Sequence, residues 1–563
     1  MRSDRSALKK HGWENRIMGF KLDSTGRAGF AFAVAFGLFF VLRHFPLDFI
    51  LGTNSYWQTE VEDVTQYFAG FNAFFNAPFS FPLLAFDSIN YPQGTRATFV
   101  DAIPLYALLL KVFVPKSFAP FNPLGVWIAG CFVAQAICAW WIMRELRVRS
   151  WLALAAAVFC LVSMPEFTSR IAHVSLMSQW IVLCALALYL RSRNTGQAHR
   201  WAWGVLLVAG FYVNIYLFAM ASAIYLASHL GSAERFKPAF VARALVPFVV
   251  IGASLFLTIF PMGEAAVSKE GGFGVFSMNL LSPLHGGKYL HFPNPEMPGQ
   301  GEGFNYLGLG VVMAFVLSLV LKRKDGDDTF GRHKALTWLM ALFTLYALSN
   351  EIYLGTSHLV SIDYPSILSP ITSQFRASGR FFWPVGFCIV IFSITYLYRH
   401  LSTKLFAACM LVMLVVQISD LSAFRRLLVA VANRPAEPVL DQAEWNAQTA
   451  SNTEYLYFFP KFKCGRGDQV LQTLMPIMRY AAVHNIKINT GYVARSNANC
   501  STESTQAEIA ASDFANSMYV FNTGDFPQVD QVKQLFPSNR QPECKVLDFA
   551  HVCRVGQAGQ VNP

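Results

Sequence analysis

The chain has 563 residues, 54% of them hydrophobic and only 14% charged, with 51 Phe, a balance too apolar for an ordinary soluble protein. Its formal net charge is +11, yet Lys and Arg form short clusters between long apolar runs, the pattern of basic loops beside membrane spans rather than of a nucleic-acid-binding stripe. No GxxxxGK[ST] loop, HExxH or paired CxxC occurs, so phosphate-loop, zinc-protease and zinc-ribbon chemistries have no footing in the sequence.

Residues 1–27 carry Arg2, Arg5, Lys9, Lys10, Arg16, Lys21 and Arg27 ahead of an apolar run that begins at Ala28. This segment is expected on the cytoplasmic side, and the run, which lacks a small-residue cleavage pattern, is expected to be a retained span. A crossing needs about 20 apolar residues. On that measure, spans fall at 28–50, 123–143, 150–165, 174–191, 201–215, 216–230, 243–262, 304–321, 334–350, 382–398 and 404–420, about eleven in all. With a cytoplasmic start, the clusters Arg144/Arg147/Arg149, Arg191/Arg193/Arg200, Arg235/Lys237/Arg243, Lys322/Arg323/Lys324 and Arg399/Lys404 all face inward. Two conditions accompany that agreement. The stretch 102–114 must be an interfacial or re-entrant helix, because a further crossing there would reverse every later loop. The stretch 201–230, basic at both flanks, must split into two short spans near Asn214 and Tyr216.

This topology sends segments 51–122, 166–173, 263–303 and 351–381 outward, together with everything from Leu421. The expected fold is mainly α: a polytopic transmembrane bundle over 28–420, followed by a small exported α/β domain over 421–563. In that domain, strands are predicted at 454–459 and 517–522 and an amphipathic helix at 468–484. Export to an oxidising compartment favours disulfides among Cys464, Cys500, Cys544 and Cys553, with Cys464–Cys500 and Cys544–Cys553 preferred among three connectivities. The six other cysteines lie in apolar segments as small hydrophobes. No repeat of 20 to 50 residues is visible, which argues against a solenoid.

The outward segments hold the chemistry. The first reads Trp57-Gln-Thr-Glu60-Val-Glu62-Asp63-Val-Thr-Gln66-Tyr67, three acids just beyond the first span. They either open a hydrated helix, where acids suit the N-terminal dipole, or supply a base, Asp63, for an acceptor hydroxyl that Glu60 or Glu62 orients. The same segment ends in Asn90-Tyr-Pro-Gln-Gly and Asp101-Ala-Ile-Pro-Leu, where Asp101 is expected to cap the helix that Pro104 enters and to serve as a second acid. Phe375-Arg376-Ala-Ser-Gly-Arg380 places two guanidinium groups four residues apart before an inward-running span, where they either hold a lipid phosphate by forked hydrogen bonds or snorkel to headgroups. Arg170, His173 and Lys288 are further candidates for substrate binding. Glu302 and Asn305, among Gly301, Gly303 and Gly308, join them where the backbone can approach a ligand closely. Glu60, Glu62, Asp63 and Asp101 can supply oxygen ligands to a divalent ion, but no DxD pair occurs there and metal-independent transfer is preferred, with no cofactor required.

An acid after the first span, Tyr-Pro-x-Gly, Asp-x-x-Pro-Leu, Arg170-Ile-Ala-His173, Gly272-Phe-Gly-Val-Phe-Ser-Met-Asn279, Gln300-Gly-Glu302-Gly-Phe-Asn305 and Phe375-Arg376-Ala-Ser-Gly-Arg380 together resemble the GT-C glycosyltransferases. Among these the pattern is similar to a bacterial branch, the DUF6311-like proteins, over roughly residues 28–400. The resemblance implies inverting or retaining sugar transfer from a polyprenyl-phosphate donor at the outer face of a bacterial inner membrane. It also implies an acid in the first outer loop, by position Asp63, with Glu60 and Glu62 as alternatives. The expected partners are that donor, a glycan, lipid or protein acceptor of the envelope, and membrane lipids, but no nucleic acid. Two other functions fit the same outline: a transporter or flippase of lipid-linked glycans, and a noncatalytic envelope assembly protein.

Overall fold

A computed structural model describes residues 23–61, 63–230, 237–261, 271–325, 329–465, 469–494 and 498–556. Glu62 and nearly all of the basic segment 1–27 lie outside these. Helices form on each of the eleven expected apolar stretches. Among the described residues, seven are long and apolar enough to cross a membrane: Arg27–His44, Leu124–Glu145, Trp151–Thr168, Val174–Thr195, Pro238–Thr258, Ser378–His400 and Thr403–Asp420. The other four, Arg200–Val213, Ile215–Leu230, Leu309–Asp325 and Lys334–Leu348, have 14, 16, 17 and 15 residues. At 1.5 Å per residue they reach about 21 to 26 Å, short of a hydrocarbon core of about 30 Å.

Local chemistry sets the breaks. Asn214 ends one helix in an extended conformation, and its carboxamide oxygen accepts from the amides of Tyr216 at 3.0 Å and Leu217 at 3.4 Å, starting the next helix. The stretch expected to lie in the interface is the ten-residue helix Pro104–Phe113, about 15 Å long and too short to cross. The expectation that Asp101 caps it is corrected: Ile103 occupies the cap without a side-chain bond, while Asp101, at φ 52°, closes the preceding turn Ala97–Val100.

Helix Ser422–Ala432 packs beside Arg27–His44. The strands are β1 (Tyr455–Phe459), β2 (Lys487–Ile488), β3 (Ser517–Asn522), β4 (Glu543–Leu547) and β5 (Ala550–Arg554), forming one sheet in the order β2-β1-β3-β5-β4. The first two pairings are parallel and the last two antiparallel. Disulfides join Cys464 to Cys500 and Cys544 to Cys553, the latter directly across the β4/β5 ladder.

This domain shares a core with the first loop. Phe71, Phe74 and Phe86 belong to the same buried cluster as Trp445, Leu456 and Met478. The edge strand β2 is covered by that loop: the Ile488 amide donates to Ser88 O at 2.9 Å, the Tyr91 amide donates to Ile488 O at 2.9 Å, and Lys487 meets Asp87 at 2.6 Å.

Candidate active site

Four segments converge where the first loop meets the bundle. Helix Asp63–Asn76 places Asp63 in its first turn, where a carboxylate suits the positive end of the helix dipole. One turn on, the same face presents Tyr67, whose hydroxyl bonds Ser175 Oγ at 2.8 Å, and Asn214 Nδ2 donates to that same Oγ at 3.0 Å. The turn 169–173 carries Arg170 and His173, the turn Gln300–Gly303 carries Glu302, and the turn Ser378–Phe382 carries Arg380.

Glu302 is the hub. Its Oε2 accepts from Arg170 Nη1 at 3.1 Å, and from Arg380 Nη2 at 2.7 Å and Nε at 3.1 Å, while Oε1 lies 3.6 Å from His173 Nε2. The same His173 nitrogen is 3.1 Å from Asp63 Oδ2. An unbroken chain of ionisable groups therefore runs from Asp63 through His173 and Glu302 to Arg170 and Arg380. Arg380 also lies over the Tyr216 ring, 4.8 Å from its centroid, and the Tyr216 hydroxyl accepts from the Ala377 amide at 3.1 Å. Arg170 Nη2 further donates to the carbonyls of Gly301 at 3.2 Å and Glu302 at 3.0 Å.

Two glycines permit this approach. A Cβ on Gly303 would collide with the Ser277 carbonyl, and one on Gly379 would collide with the Gly303 Cα. Asn305 locks the contact, its Nδ2 donating to the carbonyls of Gly303 at 2.8 Å and Gly379 at 2.9 Å. Asn305 is 1% exposed, and the structure places it as the staple between the two turns.

The electrostatics follow from burial and charge. Burial alone would raise the Glu302 carboxyl, but the Arg380, Arg170 and His173 charges prevail and hold it at about 2. Burial lowers His173, against the pull of the Glu302 and Asp63 charges. Asp101 is surrounded by protein atoms yet keeps access to water; burial first and the Asp63 charge second push it up to about 6, against a pull from Arg380. Burial, and then Asp101, raise the Tyr67 hydroxyl well above its ordinary range. Asp63, Asp101, Tyr67 and Arg380 thus share one electrostatic neighbourhood.

Other expected residues lie elsewhere. Glu60, 4% exposed, accepts from the amides of Val439 at 2.6 Å and Leu440 at 2.9 Å and from Gln442 Nε2 at 2.9 Å, joining the first loop to the chain that enters the α/β domain. The pair Arg376/Arg380 does not form a single fork: Arg380 turns to Glu302, whereas Arg376 donates to Gly271 O at 3.2 Å and covers the Phe276 ring at 5.4 Å. The intervening backbone leaves helical geometry, which separates the two side chains. Lys288 is exposed, with its amide on the Asp420 carbonyl at 3.0 Å. Glu62 lies outside the described residues, and among the described residues no three of His, Cys, Asp and Glu gather as a metal site.

Two solved structures are similar to this chain. A mycobacterial arabinofuranosyltransferase, AftD, superposes with a TM-score of 0.51 at 13% identity, over 96% of this chain and 41% of that one. An oligosaccharyltransferase from Archaeoglobus fulgidus, solved with a tethered acceptor peptide, gives a TM-score of 0.45 at 11% identity, over 89% of this chain and 70% of that one. The chain therefore spans less than half of the arabinofuranosyltransferase, and what it shares with that protein is the fold. No curated protein matches it in sequence. The family described as "Domain of unknown function (DUF6311)" matches residues 34–422, its "DUF6311 C-terminal domain" matches residues 444–555, and the chain belongs to this family.

Proposed function

We propose that this protein is a multi-pass membrane glycosyltransferase of the GT-C type. It moves a hexosyl or pentosyl unit from a polyprenyl-phosphate donor to a glycan, lipid or protein acceptor on the periplasmic face of a bacterial inner membrane. The observation that carries the reading is the Asp63 carboxylate, 3.1 Å from His173 Nε2 and at the end of a chain of ionisable groups that terminates in two guanidinium groups. The GT-C-like fold supports it.

In this reading Asp63 takes the proton from an acceptor hydroxyl while His173 holds the carboxylate in line. The acceptor oxygen forms its bond to the anomeric carbon as the bond from that carbon to the phosphate oxygen breaks. The electron pair leaves with polyprenyl phosphate. Arg376, at the start of the last turn before the Ser378–His400 helix, meets the developing negative charge, and Arg380, fixed by Glu302, adds positive potential behind it. The α/β domain, sharing a core with the first loop, offers the acceptor a wall beside Asp63.

The test is a turnover assay in nanodiscs with a panel of radiolabelled polyprenyl-phosphate hexoses and pentoses, reading label transfer and release of polyprenyl phosphate. Wild type should release polyprenyl phosphate from at least one donor when envelope extract is added, and Asp63→Asn should not. Undiminished release by a folded Asp63→Asn protein refutes the assignment of the base.

A further inference from the structure

A second feature lies at the other end of the bundle. Between the helices Val174–Thr195, Leu309–Asp325, Lys334–Leu348 and Ser378–His400 runs a cavity of about 680 Å³, within the range of pockets that hold small organic molecules. Its lining follows one helix from Val385 to His400, a run of about 22 Å at 1.5 Å per residue. The walls are apolar: Leu186, Phe315, Met340, Ile389 and Phe392. The mouth is basic, with Arg332, His333, Arg399 and His400 all at the end remote from Asp63. Arg399 is held there by a bond of 3.0 Å to the Leu146 carbonyl, and His333 by its contact of 3.2 Å with the Tyr189 hydroxyl.

A long apolar slot with cations at one end matches a ligand with a long hydrocarbon tail and an anionic head. We infer that this cavity is a binding site for an anionic bilayer phospholipid, with its phosphate at Arg332 and Arg399 and an acyl chain along the slot toward Val385. The slot is longer than one leaflet's share, about 15 Å, of the hydrocarbon core, so it accommodates a full acyl chain. The geometry selects a bilayer lipid over the sugar donor. A donor seated with its phosphate at this mouth would place that phosphate about 22 Å, the length of the slot, from the end nearest the charged cluster.

The inner end of the slot gives the lipid a consequence. Val385 lies two residues beyond Trp383, whose ring faces the Arg170 guanidinium at 6.0 Å, and it belongs to the same helix start as Arg380. An acyl chain packed there steadies the segment that carries Arg380 and packs against Arg170.

The experiment is native mass spectrometry and thermal shift on the full-length protein, delipidated in detergent and titrated with phosphatidylglycerol, phosphatidylcholine or polyprenyl phosphate. One phosphatidylglycerol per chain should bind, about tenfold tighter than phosphatidylcholine. Arg332→Gln combined with Arg399→Gln should abolish the preference. Met340→Trp, which fills the slot and leaves the mouth intact, should abolish retention of either lipid, and it covers the case in which the double variant misfolds. Equal affinity for the two phospholipids, tighter binding of polyprenyl phosphate that Met340→Trp abolishes, or full lipid retention by a folded Met340→Trp protein would each overturn the inference.

Discussion

Glu60 and Asp63 are three residues apart in one loop and do opposite work. Glu60 is enclosed, both oxygens accepting from Val439, Leu440 and Gln442, so turning it to a substrate would break the seam between the first loop and the chain entering the α/β domain. Asp63 keeps a side chain 36% exposed, meets one imidazole and lies close to Asp101 and Tyr67. The difference teaches that an acid's role here depends on whether its partners can be exchanged for a substrate. Backbone amides at a domain seam cannot; a water-accessible face beside a histidine can.

The largest effect should separate these two acids. Asp63→Asn is expected to lower transfer by about 10²- to 10⁴-fold, the usual contribution of a general base, with little change in Tm. Glu60→Gln should do the reverse, lowering Tm through weakened buried hydrogen bonds to a charged group, each worth about 1.5 to 3 kcal/mol, while turnover per folded molecule holds. Turnover and differential scanning fluorimetry on both variants decide the matter. If Glu60→Gln abolished turnover at unchanged Tm, the contrast would be lost.

Next comes the hub. Removing the Glu302 charge leaves Arg170 and Arg380 facing each other in a site where their side chains are 6% and 13% exposed. Glu302→Gln should therefore cost about 3 kcal/mol of stability at pH 7. The sign with pH follows from a folded-state value of about 2 against an ordinary 4.5. The carboxylate contributes its full stability above about pH 4.5 and loses it as pH falls toward 2. The gap between wild type and Glu302→Gln should close over that interval, and a gap that stays constant down to pH 3 would show that Glu302 is not held by its neighbours' charge.

Much of the scaffold was legible in the sequence because hydrophobicity, basic loops and cysteines are local signals. The break at Asn214 and the four cysteines that form disulfides rest on such signals, whereas which cysteine meets which is set by the fold. Span length was less legible. Composition shows where a run is apolar, whereas breaks such as Gly308, at φ 86° just before the helix Leu309–Asp325, are set by tertiary packing. In the site, Asp63, His173, Arg170, Glu302 and Arg380 came from four separate segments, and the sequence named each one without showing their chain of contacts. The roles of Glu60 and Arg376 depended on partners more than a hundred residues away. Tyr67 went unremarked, although its spacing of four from Asp63 places both on one helical face.

A smaller effect tests the link between the hub and the base. His173→Gln keeps a donor near Asp63 but loses the imidazole's fixed reach between Asp63 Oδ2 at 3.1 Å and Glu302 Oε1 at 3.6 Å. Transfer should fall about tenfold, in the rate constant rather than in KM, as expected when positioning is loosened. An equal loss through KM alone would make His173 a binding residue instead.

The smallest effect concerns Asp101, which carries opposite linkage to Glu302. Its folded-state value of about 6 lies above the ordinary 3.8, so the folded protein holds this proton more tightly than the unfolded chain does. Ionising it costs stability, with the cost absent below about pH 4 and complete above about pH 6. Because water reaches the side chain, the cost is on the order of 1 kcal/mol rather than the full value of the shift. Asp101→Asn should therefore raise Tm at pH 7.5 and leave it unchanged at pH 4, the mirror image of Glu302→Gln. It should also slow transfer a few-fold and flatten the acid limb of the pH profile near 6, since Asp101 then no longer exchanges charge with Asp63. A variant destabilised at pH 7.5 would mean that the Asp101 carboxylate is held by partners, as Glu60 is, and would move it from the working side of the comparison to the structural one.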